Sequence, residues 1–328
     1  MNKNERCGKL IFLKPAFEHK IWGSAKLREN YGYDEPGDDI GECWGISAHP
    51  HNETPVLYGE YAGMKLSELW REHRELFGNA EGEEFPLLTK IITAEDDLSV
   101  QVHPDDVYAA EHENGARGKT ECWYILDAEP GSRLAIGHNA GSREELINMI
   151  DAGRWKDLIR YTDVVAGDFI QIPPGTVHAI GGGITLLETQ QSSDITYRLY
   201  DYERKQDGCL RPLHLEQSKE VITVPAADVA DEIIHDDSAD DVVCLISCDH
   251  YEVYRITCRD ELTVEFDRPF VLMSVVEGEG TLKSDRDNGA GESESTRVKK
   301  GDHFIVPAGF GELAMSGSMK IIASCLPL

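Results

Sequence analysis

Ala166-Gly-Asp-Phe-Ile-Gln-Ile-Pro-Pro-Gly175 recurs further along the chain as Lys300-Gly-Asp-His-Phe-Ile-Val-Pro-Ala-Gly309. Each copy reads as a turn, a short strand and a proline-glycine corner, because Gly-Asp favours a reversal and the apolar run after it favours an extended backbone. A strand pair precedes each copy: Cys122 to Leu126 before the first, Val271 to Leu282 before the second. Repeated hairpins of this kind build small antiparallel barrels of the jelly-roll type. The expected fold class is therefore mainly β, with two such barrels and a few decorating helices.

The surrounding sequence agrees. Lys9 to Leu13, Val56 to Gly59, Leu87 to Ile92, Leu98 to His103 and Glu121 to Leu126 alternate or run apolar between Gly, Pro, Asp and Asn, as strands do. Helical spacing is confined to Lys65 to Phe77, to Ser142 to Ile159 with Ser142 as a cap ahead of an acidic first turn, and to His214 to Glu220. Ala226 to Asp241 is rich in Asp and Ala and reads as an acidic linker, which puts a boundary near residue 238. The expectation is a catalytic barrel with helical decorations over residues 1–238 and a second, metal-free barrel over 239–328. Ser284 to Thr296, full of Ser, Gly, Asp and Glu, reads as a hairpin loop inside the second barrel.

A formal net charge of −28 argues against nucleic acid or an anionic membrane surface as partner, since no Lys/Arg-rich block offsets it. The apolar run Leu10 to Leu13 is too short for a signal segment and no stretch reaches membrane length, so a cytoplasmic protein is expected. Its eight cysteines lack disulfide-framework spacing. Cys244 and Cys248 share a strand face, but no second pair of matching spacing accompanies them, and they read as free core thiols.

In Leu98-Ser-Val-Gln101-Val-His103-Pro, strand alternation puts Ser99, Gln101 and His103 on one face. Glu121 opens the strand pair of the first barrel, and the first repeat continues past its corner to His178, where the second has Glu312. Gln101, His103, Glu121 and His178 thus form a candidate metal set from separate strands of one barrel. Two imidazoles, a carboxylate and an amide oxygen favour zinc, one per chain, with manganese or iron(II) as alternatives. The second barrel carries no such set.

The repeated strand-and-corner pattern resembles the cupin superfamily. Six segments sharpen this: Gly41-Glu-Cys-Trp-Gly-Ile-Ser47, Pro86-Leu-Leu-Thr-Lys-Ile-Ile92, Leu98 to Asp106, Gly118-Lys-Thr-Glu-Cys-Trp-Tyr124, Ile172 to Ala179 and Gln190 to Arg204. Their ordered set resembles the type I mannose-6-phosphate isomerases in their short bacterial form. That resemblance implies Gln101, His103, Glu121 and His178 as metal ligands, and Lys119, Glu188 and Arg198 as active-site residues. The chain departs from longer members at Ile180, where they carry a tyrosine, at Ile21-Trp-Gly-Ser24, which replaces a more glycine-rich segment, and in having few helices.

Aldose-ketose interconversion moves a proton between adjacent carbons through an enediol and needs a carboxylate base and an electrophile. Glu188 shares a strand face with Ile184, Leu186 and Gln190, and burial there is expected to raise its pKa towards a working range; a structural salt bridge is its plainer role. Arg198 suits enediolate charge or sugar oxygens, and otherwise pairs with Asp194 or Asp201. For the phosphate, Ser99, Lys119, Arg204 and Lys205 are the candidates, the last two equally readable as solvated charges. Gly181-Gly-Gly183 lacks a following Lys-Ser/Thr and reads as a turn. The expected partner is a small sugar phosphate and the expected assembly a monomer or homodimer. An iron(II) oxygenase using two histidines and Glu121, and a bicupin sugar-phosphate sensor without turnover, are the competing readings.

Overall fold

A computed structural model describes residues 9–206, 208–228, 232–284 and 295–327. Its first barrel is two facing antiparallel sheets. One has seven strands in the order Ile234–His235, Asp168–Ile172, Glu121–Ala128, Ile184–Gln191, Leu87–Thr93, Ile40–Ile46 and Ala16–Ser24. Facing it are five, in the order Tyr197–Tyr200, Val100–Val102, His178–Ala179, Arg133–His138 and Ile159–Asp163.

Strand alternation divides the apolar residues into three layers. Trp123, Ile125, Ile170, Ile184 and Leu186 of the large sheet meet Leu134, Ile136 and Ile180 between the sheets. Cys122, Tyr124 and Leu187, on the opposite face of the large sheet, join Tyr251, Phe270, Leu272 and Ile305 of the second barrel in a shared core. Behind the small sheet, Val100, Val102 and Leu199 pack on Leu146, Met149 and Ile150 of the helix Arg143–Asp151.

The second barrel is one eight-stranded sheet whose long strands, Val271–Ser284 and Leu313–Cys325, pair along most of their length. Its own core holds Ile256, Met273, Val275, Phe304 and Leu313. The strand Ile11–Leu13 does not join the barrel that follows it in sequence: it pairs with His303–Val306 at the edge of this sheet.

The sequence repeat has a local physical basis. Asp168 and Asp302 each accept a hydrogen bond from a backbone N–H three residues earlier, Val165 at 2.9 Å and Lys299 at 2.8 Å. The glycines before them, Gly167 and Gly301, adopt positive φ of 98° and 94°, a conformation glycine takes without a side-chain clash. The two turns are thus the same device, one per barrel.

Ser142 caps its helix as expected, its hydroxyl accepting from Glu145 N at 3.2 Å, but Gly153 at φ 62° breaks the run expected to reach Ile159 into Arg143–Asp151 and Trp155–Leu158. Helices at Lys26–Tyr31 and Asp106–His112 have little apolar spacing to announce them: the first buries only Leu27 and Tyr31, the second only Ala109. The segment expected to form a strand at Val56 to Gly59 makes only an isolated bridge, Leu13 to Val56. Cys244 is exposed and Cys248 half-buried, which corrects their reading as core thiols: Val242–Ser247 is the edge strand of its sheet. The hairpin reading around Ser284 to Thr296 is met at its base, where Lys283 pairs with Ser295; residues 285–294 lie outside the described residues. Among the described residues no helix is long and apolar enough to cross a membrane.

Candidate metal centre and active site

Cross-strand register assembles the site. In the small sheet His178 lies opposite Gln101, and Gln101 opposite Arg198. Across the barrel, Glu188 lies opposite Trp123 on one side and Lys90 on the other, and Gln190 lies opposite Glu121. Directly opposed residues put their side chains on the same face.

His103, Glu121 and His178 bring one ligand atom each to within 4.8 Å of one another, all three buried. His178 Nε2 stands 3.3 Å from Glu121 Oε1, and His103 Nε2 stands 3.5 Å from Glu121 Oε2. His103 Nδ1 donates to the carbonyl of Ile195 at 2.7 Å and His178 Nδ1 to that of Thr176 at 2.9 Å. A carbonyl only accepts, so each ring carries its proton on Nδ1 and turns the Nε2 lone pair towards Glu121. Burial keeps both imidazoles neutral: it pushes His178 down to about 4 and His103 well below its ordinary value, Lys119 adding to the latter. His178 Nε2 and Glu121 Oε1 have no hydrogen-bond partner, a costly condition for buried polar atoms unless a cation engages them. This donor set fits a divalent metal, and Gln101 is the register neighbour of His178 in the small sheet.

A line of buried charge continues from it. Lys119 Nζ contacts Glu121 Oε2 and lies 3.8 Å from Glu188 Oε1. Lys90 Nζ lies 3.5 Å from the same Glu188 oxygen, 3.7 Å from Glu42 Oε2 and 4.5 Å above the Trp44 ring. Trp123 Nε1 donates to Glu188 Oε2 at 3.0 Å, and Trp44 Nε1 to Glu42 Oε2 at 2.7 Å. The expectation that burial raises the Glu188 pKa is corrected here. Burial does push it up, but Lys119, Lys90 and the Trp123 hydrogen bond outweigh that and hold it below the usual carboxylate value. Glu121, pushed up by burial and by Glu188, takes the opposite shift.

Arg198 is half-buried, its Nε donating to Ser99 Oγ at 3.3 Å and its Nη1 to Pro212 O at 3.0 Å; it pairs with neither Asp194 nor Asp201. Asp201 instead holds Arg204 and Arg211. Arg204 also reaches the carbonyl of Asp97, and Lys205 is exposed on the hairpin Lys205–Gln206/Cys209–Leu210. Ser99 thus lies beside Arg198 and Lys119 at the cluster, while Arg204 is engaged by Asp201 and Asp97 and Lys205 is exposed. Gly181 to Gly183 form the turn before Ile184, with Gly183 at φ 82°.

Lys90, Glu42 and Trp44 escaped the sequence reading as site residues. Lys90 sits within Leu87–Thr93, whose residues are all buried, and a cation at the centre of such a strand was the available signal.

Two jelly-roll barrels, one carrying a buried His/Glu/His cluster in which Lys119 Nζ donates to His103 Nε2 at 3.3 Å and His178 Nε2 has no partner, define a cupin-fold protein with a candidate metal centre. The family described as "Phosphomannose isomerase type I, catalytic domain" matches residues 10–129, and "Mannose-6-phosphate isomerase, cupin domain" matches 242–326. The mannose-6-phosphate isomerase ManA of Bacillus subtilis is 48% identical over 318 residues, covering 96% of this chain and 98% of the relative. The mannose-6-phosphate isomerase of Streptococcus mutans is 45% identical over 315 residues, covering 96% and 97%. The crystal structure of the mannose 6-phosphate isomerase from Bacillus subtilis superposes with a TM-score of 0.90 at 42% identity, covering 97% of this chain and 99% of that one. The chain belongs to the type I mannose-6-phosphate isomerase family.

Proposed function

We propose that the chain is a zinc-dependent aldose-ketose isomerase that interconverts mannose 6-phosphate and fructose 6-phosphate through an enediol. The observation that carries this reading is the adjacency of two chemistries: the lone pairs of His103 and His178 converge on Glu121, and the Glu188 carboxylate stands next to them between two lysines. His103, Glu121 and His178, with Gln101, would hold the metal. When bound it would supply Lewis-acid stabilisation of negative charge on the sugar oxygens.

The chain's own groups divide the remaining work. Glu188, kept anionic by Lys119, Lys90 and Trp123, is the acceptor for the carbon-bound proton. A resting base of low pKa is a weak one, so the reading requires that substrate binding draw Lys119 or Lys90 towards the developing enediolate. That movement strengthens Glu188 as a base at the moment it is needed. Arg198, anchored through Ser99, is suited to fixing an anionic oxygen with its fork of donors. In this reading catalysis belongs to the barrel up to about residue 238 and the second barrel supports it without metal.

A coupled assay with mannose 6-phosphate, run before and after chelation and again after zinc is restored, tests reaction and cofactor together. Turnover that vanishes with chelator and returns with zinc is the expected result. No turnover with zinc, manganese or iron(II) would sink the isomerase reading, and oxygen-dependent activity with iron would replace it.

A further inference from the structure

Gln190 is fully buried and stands two residues beyond Glu188 and directly opposite Glu121, so the three side chains share one face of the large sheet. Its amide nitrogen donates to the carbonyls of Gln191 at 2.8 Å and Ser193 at 2.6 Å. Those two bonds use both N–H groups of a primary amide and fix which end is oxygen. Oε1 must therefore turn away from the two carbonyls, and no protein donor reaches it. Of the eight buried side-chain atoms without a hydrogen-bond partner among the described residues, Glu121 Oε1, His178 Nε2 and Glu188 Oε1 belong to the site, and Gln190 Oε1 joins them on the same sheet face as the two glutamates.

The amide is also braced. The turn it holds, Gln191 to Ser193, leads to Ile195, whose carbonyl fixes His103, and Gln191 Oε1 accepts from Thr120 N at 2.8 Å beside Glu121. An acceptor oxygen held this firmly is preorganised for one kind of visitor. Beside two carboxylates it repels a phosphate and accepts from an O–H.

We propose that Gln190 Oε1 is a specificity-determining acceptor for one hydroxyl group of the bound sugar phosphate. This rests on the isomerase reading above and adds to it a residue that contacts the sugar chain, not its phosphate. A neutral acceptor next to Glu121 and Glu188 orients the polyol without adding a third negative charge.

The test is calorimetric titration of the zinc-loaded protein with a hexitol 6-phosphate, a reduced form that cannot isomerise, and with its monodeoxy analogues. In the unsubstituted protein, removal of one particular hydroxyl is expected to weaken binding about fivefold, as for the loss of a single hydrogen bond. In Gln190→Met that analogue and its parent are expected to bind alike, within about twofold. Because Gln190→Met also releases two carbonyls, Gln190→Asn serves as a second variant, keeping the amide while withdrawing its oxygen, and is expected to lose the same discrimination. Penalties for deoxygenation that are identical in all three proteins overturn the assignment, even where mannose 6-phosphate is turned over normally. A chain that neither turns over mannose 6-phosphate nor binds the hexitol phosphate overturns the isomerase reading, and this inference with it.

Discussion

The Lys90 ammonium lies 3.5 Å from Oε1 of Glu188, reaching it from a neighbouring strand of the same sheet. With Glu42 behind it and Lys119 on the far side of Glu188, it belongs to a buried file of alternating charges that ends at Glu121. Groups in such a file are individually costly to bury and stable only together.

Removing the cation therefore leaves two carboxylates under-compensated. Lys90→Met is expected to lower stability by about 3 kcal/mol in urea unfolding. The double variant Lys90→Met/Glu42→Gln should recover part of that loss, because it removes the stranded charge as well. Additive losses in the two substitutions would contradict the coupling.

Glu188→Gln keeps the shape of the side chain and removes its proton-accepting oxygen charge. Its expected effect is a fall in kcat of about a hundredfold or more with metal content unchanged, read by steady-state kinetics beside elemental analysis. Retained turnover would remove Glu188 from the role of base.

His178→Ala deletes one of the two imidazoles that face Glu121. Metal affinity is expected to fall by at least about a hundredfold, with activity following it. Competition with a chelator of known affinity measures the first quantity independently of the second; unchanged affinity would place the metal elsewhere.

Between the barrels, Arg255 Nε donates to Asp236 Oδ2 at 2.7 Å and Arg255 Nη2 to Oδ1 at 3.0 Å, with both side chains buried. The Arg255 hydrogen bonds hold the Asp236 carboxyl below its ordinary value. A folded value below the unfolded one means a contribution that is complete above the normal carboxylate range, about pH 4, and lost as pH falls through the folded value. Asp236→Asn should thus cost about 2 kcal/mol at neutral pH and progressively less in acid. Urea unfolding across a pH series decides it: a cost that is flat, or that grows in acid, would rule out this linkage.

The β-rich fold was legible because its signals are local. Gly-Asp turns, proline corners and period-two alternation each lie within about ten residues, and the turn at Asp168 is repeated at Asp302 by the same side-chain bond. His103, Glu121 and His178 were legible as metal-capable types beside turns, and they meet as expected. Lys90 was not, because its meaning depends on register: nothing near it in sequence says that Glu188 and Glu42 will stand on either side. The Glu188 pKa went astray for the same reason, burial being visible in the strand and the two cations not. Gln190 is similar, since its free oxygen follows from two carbonyls that only the folded turn supplies.

The pairing of Ile11–Leu13 with His303–Val306 has a consequence for how the molecule is made. At ribosomal speeds of about 5–20 residues per second, this early strand waits roughly a quarter of a minute or more before its partner is synthesised. Until then Ile11 and Leu13, apolar and destined for the core shared by both barrels, have only the isolated bridge from Leu13 to Val56 as a backbone pairing. The strands of the first barrel all precede residue 236, whereas the sheet that receives Ile11–Leu13 is complete only once Leu313–Cys325 has followed the last repeat, so assembly of the second barrel decides when this early strand is locked in place.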